Sequence, residues 1–205
     1  MKLEFWDFDG VIKDSVEVKT RAFMRLFRPY GAEITHKVRL HHESNGGMSR
    51  FEKLPLYLSW TGERPSEERV KEMCERFGRL VFQEVIDSPW VPGAENYLRM
   101  NSNNKIFILV SATPQDEIEQ IVKALNLFES FKEIYGAPTS KKDAVRMSIE
   151  RYGVSPADCM VIGDAQADMD AAQANGVPFM LRLHGSNREI FRDYTGTTVE
   201  DFTHL

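Results

Sequence analysis

Cysteine is scarce in this chain: only Cys74 and Cys159 occur among 205 residues. Both sit in apolar or helical patterns, which fits reduced, structural thiols and argues against a disulfide-stapled scaffold. No apolar run approaches the roughly 18 residues a membrane span needs, and the amino terminus has no basic segment followed by a long apolar region. The expectation is a soluble, cytoplasmic protein with no membrane partner. A basic excess is missing too. The formal net charge of −5 leaves no cationic footprint for nucleic-acid phosphates, so no nucleic-acid partner is expected. Internal repeats and low-complexity tracts are also absent. What remains can bury a real core, in one domain or in one domain carrying a smaller inserted unit.

The amino-terminal run "KLEFWDF" is short, apolar and aromatic and is ended by Gly10, which reads as a buried strand. From about residue 14 to residue 87 the spacing turns helical (Val18, Ala22, Leu26, then Val70, Phe77, Leu80 and Val81), broken by "SNGGMS" and "TGERPSEE". After "SPWVPG" the pattern alternates. "KIFILVSA" reads as a strand, "PQDEIEQIVKALNL" as a helix and "FKEIYGAP" as a strand. A helix over about 141–151, the strand "CMVIGD", a helix over "ADMDAAQANG" and the strand "PFMLRL" follow. The tail "TGTTVEDFTHL" would add an edge strand. The expected fold is α/β, a Rossmann-like parallel-sheet core from 1–13 and 89–205, with an α-helical insert over 14–88.

The stretch "FWDFDGVIKDS" crowds Asp7, Asp9 and Asp14 beside the first strand. Carboxylates at close range resist joint ionisation unless a cation sits among them. In open α/β sheets ligands bind beyond the carboxyl ends of the strands. Collecting the residues there gives Asp7 and Asp9, then Ser111, then Lys141 and Lys142, then Asp164 and Asp168. Such a set supplies a nucleophile, an acid or base, a hydroxyl, an ammonium and metal-binding carboxylates, which suits phosphoryl chemistry. Taken singly, each residue has a plainer reading: a serine after a strand forms turns or caps, and an aspartate after "VIG" caps the next helix. Asp14 is expected to cap the first inserted helix and Asp170 to be solvated. His36, His41 and His42 with Glu43 lack zinc-ligand spacing and are assigned no metal.

In order, "DFDGV", "LVSAT", the lysine of "TSKKDA" and "IGDAQAD" resemble the motifs of the haloacid dehalogenase superfamily of phosphohydrolases. The resemblance implies that Asp7 attacks phosphorus to form an aspartyl phosphate, and that Asp9 protonates the leaving alcohol and then takes a proton from water. It implies Mg²⁺ held by Asp7, the backbone carbonyl of Asp9 and Asp164, with Asp168 in or beside that shell. It implies phosphate contacts from Ser111, the amide of Ala112, and Lys141, which the family's S-K-x-D pattern selects over Lys142.

The insert resembles the family's small helical cap, a lid that closes over the phosphate site. Within it "SNGGMSRFEKL" is the expected substrate-reading loop, with Asn45, Gly46, Gly47 and Arg50 as its binding residues. The competing reading is a plain helix start, with Ser49 as cap, Glu52 at the capping-box position and Arg50 in solvent. The loop also resembles that of beta-phosphoglucomutases, sugar-phosphate isomerases. Those carry a histidine where this chain has Lys19, and an E-D pair where it has Gly163 and Asp164. The closer likeness is to phosphoglycolate phosphatase-like enzymes. The implied partner is therefore a small phosphorylated metabolite, a sugar phosphate or phosphorylated sugar acid, acted on by a monomer or homodimer. A non-catalytic binding protein on the same fold is the alternative of another class.

Overall fold

The short apolar runs become buried parallel strands. The computed structural model describes residues 3–101 and 104–205; Lys2, at the start of the expected first strand, lies outside them. Strand β1 (Leu3–Trp6) is buried at every position and lies between β2 (Ile106–Pro114) and β4 (Cys159–Gly163). Both faces of such a strand are covered, which is why it reads as a continuous apolar run with no polar alternation. Leu3 and Phe5 pack on one face with Ile108, Val110 and Val161, while Trp6 enters the other face with Phe107 and Leu109.

β3 (Glu133–Ala137), β5 (Phe179–Arg182) and β6 (Thr197–Val199) complete a six-stranded sheet in the order β3-β2-β1-β4-β5-β6, parallel throughout. β6 is the edge strand expected from the tail. The order reverses at β1, so a crevice opens above its carboxyl end.

Four helices stand between β1 and the helix that precedes β2: α1 (Val16–Phe27), α2 (Ala32–Ser44), α3 (Arg50–Ser59) and α4 (Glu67–Asp87). Their apolar stripes face one another. Phe23 of α1 meets Phe77 of α4 at 4.2 Å between ring centroids, and both belong to the core cluster that contains Trp6 and Phe8. Helix α5 (Ala94–Asn101) was not among the expected elements, although Ala94, Tyr97 and Leu98 have helical spacing and are buried. The helices α6 (Gln115–Ala124), α7 (Lys141–Tyr152) and α8 (Gln166–Ala174) are the expected crossovers.

Asp14 does not cap α1. Ser15 holds that position without a side-chain cap bond, because its hydroxyl donates to Asp9 at 2.7 Å; Asp14 instead lies 3.7 Å from Arg182. Cys74 and Cys159 are buried free thiols, and no described helix is long and apolar enough to cross a membrane.

Candidate active site

β1 ends at Trp6, so Asp7 is the first residue past its carboxyl end, tied there by an N–H···O bond to Ile162 of 2.9 Å. The end of β4 places Asp164, and a register irregularity near the end of β2 shapes the segment Ser111 to Thr113. Ser140 caps α7, its hydroxyl accepting from the Asp143 amide at 3.1 Å, which stands Lys141 at the first helical position. Gly10 has φ +78°, and a Cβ there would strike the Asp164 carboxylate. Only glycine lets the first loop pass so close to that group.

Lys141 Nζ lies 2.9 Å from Asp7 Oδ1 and 2.6 Å from Asp168 Oδ1. Asp7, Asp164 and Asp168 are all buried and present carboxylate oxygens within 4.8 Å of one another. Burial first, and then the charge of Asp168, push Asp7 up to about 7 against the pull of Lys141. Burial likewise raises Asp164 and Asp168, despite the bond from His184 to the former and the ammonium beside the latter. Burial disfavours charge on Lys141, yet Asp168 and Asp7 hold it firmly protonated. Of these three carboxylates, Asp7 and Asp168 share the Lys141 ammonium, while Asp164 faces His184. Their hard oxygen donors and excess negative charge fit a small divalent cation such as Mg²⁺.

Asp9 differs. Burial alone would raise its pKa, but the Lys19 ammonium, paired with Oδ2, and the Ser15 hydroxyl hold it below the usual carboxylate value. Lys19 also donates to Thr113 Oγ1 at 2.8 Å, which fixes α1 against the end of β2. Ser111 is buried and its hydroxyl accepts from the Thr113 amide at 3.1 Å; Ala112 lines the cavity. Lys142 and Asp170 are exposed.

A cavity of about 100 Å³ lies between these residues and the inserted helices. Gly46 and Gly47 line it, whereas Asn45 turns its amide back to the His41 carbonyl at 2.8 Å and does not. Gly47 has φ +77°; a Cβ there would lie 2.8 Å from Ala167 Cβ and 3.8 Å from Lys141 Cε. The loop therefore rests on the start of α8, close to Lys141.

Ser49 and Glu52 form the capping box of α3. Arg50 is not in solvent, however. It is 6% exposed, packs 4.5 Å above the Phe77 ring and grips Glu117 of α6 through two bonds of 2.9 and 2.5 Å. His36 is exposed, His41 Nδ1 meets the Tyr57 hydroxyl at 3.1 Å, and Glu43 accepts from Arg39 at 2.7 Å. Among the described residues, the acidic triad is the sole group with metal-holding geometry.

Sequence reasoning missed His184 and Asn187. His184 Nε2 lies 2.8 Å from Asp164 Oδ2, and Asn187 donates to the Asp164 carbonyl at 2.8 Å. Both follow β5. Collecting residues after that strand, as was done for the others, would have found them.

The arrangement can place an ionised carboxylate beside a cation, hold a second carboxylate ready to move a proton, and keep water away beneath the helices. The family model for haloacid dehalogenase-like hydrolases matches residues 1–176. A phosphorylated carbohydrates phosphatase of Thermotoga maritima is 24% identical over 191 residues, 90% of this chain and 85% of that protein. Phosphoglycolate phosphatase 1 of Pseudomonas aeruginosa is 22% identical over 91% of this chain and 71% of its own. The crystal structure of a beta-phosphoglucomutase from Clostridium difficile superposes with a TM-score of 0.79 at 26% identity, covering 100% of this chain and 93% of that one.

Proposed function

The chain belongs to the haloacid dehalogenase-like hydrolases and is a phosphatase of small phosphorylated metabolites; from that premise we propose that its phosphoryl group is carried through an intermediate on Asp7. An Asp7 carboxylate oxygen bonds to phosphorus as the ester P–O bond breaks, and the leaving oxygen takes a proton from Asp9. Asp9 then takes a proton from water, whose oxygen bonds to phosphorus as the bond to Asp7 breaks. The ion pair with Lys19 favours the base form of Asp9, which serves the second step.

Lys141 and the amide of Ala112, with the Ser111 hydroxyl, balance charge on the phosphoryl oxygens. Asp7, Asp164 and Asp168, with the backbone carbonyl of Asp9, would hold Mg²⁺, which when bound offsets both the crowded carboxylates and the charge of the transferring group. The helical insert acts as a cap whose loop, seated on α8, excludes water until the alcohol leaves. The substrate is a sugar phosphate or phosphorylated sugar acid, a reading supported by the carbohydrate and phosphoglycolate phosphatases among the relatives.

The observation that carries this proposal is the meeting of Asp7, Asp9, Lys141 and Asp164 around one cavity. A panel of phosphorylated metabolites assayed with Mg²⁺ tests it: free phosphate from a subset is expected, and no release from any ester would overturn it. An isomerised sugar phosphate as product would instead support the mutase reading, which the likeness to the beta-phosphoglucomutase keeps in view.

A further inference from the structure

Four cationic side chains reach the cavity: Lys19, Arg50, Lys53 and Lys141. Three already have carboxylate partners. Lys141 holds Asp7 and Asp168, Lys19 holds Asp9, and Arg50 holds Glu117. Lys53 is 1% exposed, and among the described residues no carboxylate lies within ion-pair distance of it. Its hydrogen-bond partner is His42 Nδ1, at 2.8 Å, which accepts one of the three ammonium hydrogens. His42 carries no negative charge in either protonation state, and burial with the neighbouring Lys53 keeps its ring neutral, which leaves Nδ1 free to accept. The rest of the setting is aromatic, with the Phe23 ring centroid 5.8 Å from Nζ and itself stacked on Phe77. An ammonium buried without a counter-ion is costly; burial and the nearby Lys19 pull the Lys53 pKa down to about 7, and an anion seated beside Nζ would restore its full charge.

We propose that Lys53 is the counter-ion for a carboxylate on the alcohol portion of the substrate, so that the natural ester is a phosphorylated hydroxy acid or sugar acid. This rests on the phosphatase reading and narrows its substrate class. Charge count separates a carboxylate from a second phosphate. One lysine neutralises a monoanion, whereas a dianionic phosphate would leave charge stranded in the closed cavity. The planar fork best suited to phosphate, that of Arg50, is occupied on both arms by Glu117. His42 positions the Lys53 amine and accepts one of its hydrogens, which leaves the others for the ligand.

Binding to an Asp7→Asn protein tests the inference separately from turnover. Two matched sets of esters bracket the reach: phosphoglycolate, 2-hydroxyethyl phosphate and ethylene glycol bisphosphate; then 6-phosphogluconate, sorbitol 6-phosphate and fructose 1,6-bisphosphate. By calorimetry, the acid of at least one set should bind about tenfold or more tightly than its neutral partner and more tightly than its bisphosphate. Adding Lys53→Gln should erase that preference, and Lys53→Arg should keep most of it, with circular dichroism checking that each variant folds. Equal affinity for acid and neutral ester in both sets, a bisphosphate that outbinds the acid, or a preference that survives Lys53→Gln would overturn the proposal. Failure of the wild-type protein to release phosphate from any ester would overturn the phosphatase reading while leaving this binding result to stand by itself.

Discussion

Replacing Asp7 with asparagine should stabilise the protein when no metal is present, even as it removes the proposed nucleophile. In the folded chain burial, followed by the charge of Asp168, raises the Asp7 pKa from 3.8 to about 7. A group whose folded pKa exceeds its unfolded value contributes stability below the unfolded value and loses it as pH rises through the folded one. The loss accumulates between about pH 4 and pH 7. At about 1.4 kcal/mol per pH unit, it reaches about 4 kcal/mol by about pH 8 and under about 2 kcal/mol at about pH 5. Asparagine has nearly the same shape and no charge to bury, and Lys141 keeps Asp168 as its partner at 2.6 Å. Urea denaturation in a chelator should therefore show Asp7→Asn more stable than wild type by up to about 4 kcal/mol at about pH 8, with a smaller gap at about pH 5. Mg²⁺ bound at the proposed site would favour the folded form and should stabilise wild type more than the variant. A wild type as stable as Asp7→Asn at the higher pH, without metal, would refute the reasoning.

Two further outcomes follow from particular contacts. Lys19→Met removes the cation that holds Asp9 below its usual value, so the acid limb of the kcat profile should move to higher pH; an unmoved limb would detach Lys19 from proton transfer. Glu117→Gln leaves the buried Arg50 guanidinium without its counter-charge, and urea denaturation should register a loss of about 3 kcal/mol; a change below about 1 kcal/mol would mean that this link between α3 and α6 adds little.

The sheet was legible because parallel strands buried on both faces read as short apolar runs, and the ends of those runs located Asp7, Lys141 and Asp164. Helix α5 escaped because its eight residues follow a turn and were absorbed into the break at "SPWVPG". The Arg50 partner could not be read, since Glu117 lies 67 positions away on a helix whose exposed face looks like any solvated one. Arg50 accordingly joins α3 to α6 while also lining the cavity to which the loop motif had pointed. The Asp14 expectation failed for a local reason. A serine one residue on takes the cap position, and its hydroxyl is drawn to Asp9. Lys53 drew no attention in "SRFEKL", because a lysine in a helical pattern is ordinarily solvated and only its burial makes it unusual.

The central claim is that Asp7 carries the phosphoryl group. Acid quench of the wild-type protein during Mg²⁺-supported turnover, followed by mass analysis of its peptides, addresses it directly. The account predicts a labile phosphoryl adduct on Asp7 and no phosphate release from Asp7→Asn. An adduct on another side chain, or turnover by Asp7→Asn at the wild-type rate, would contradict it.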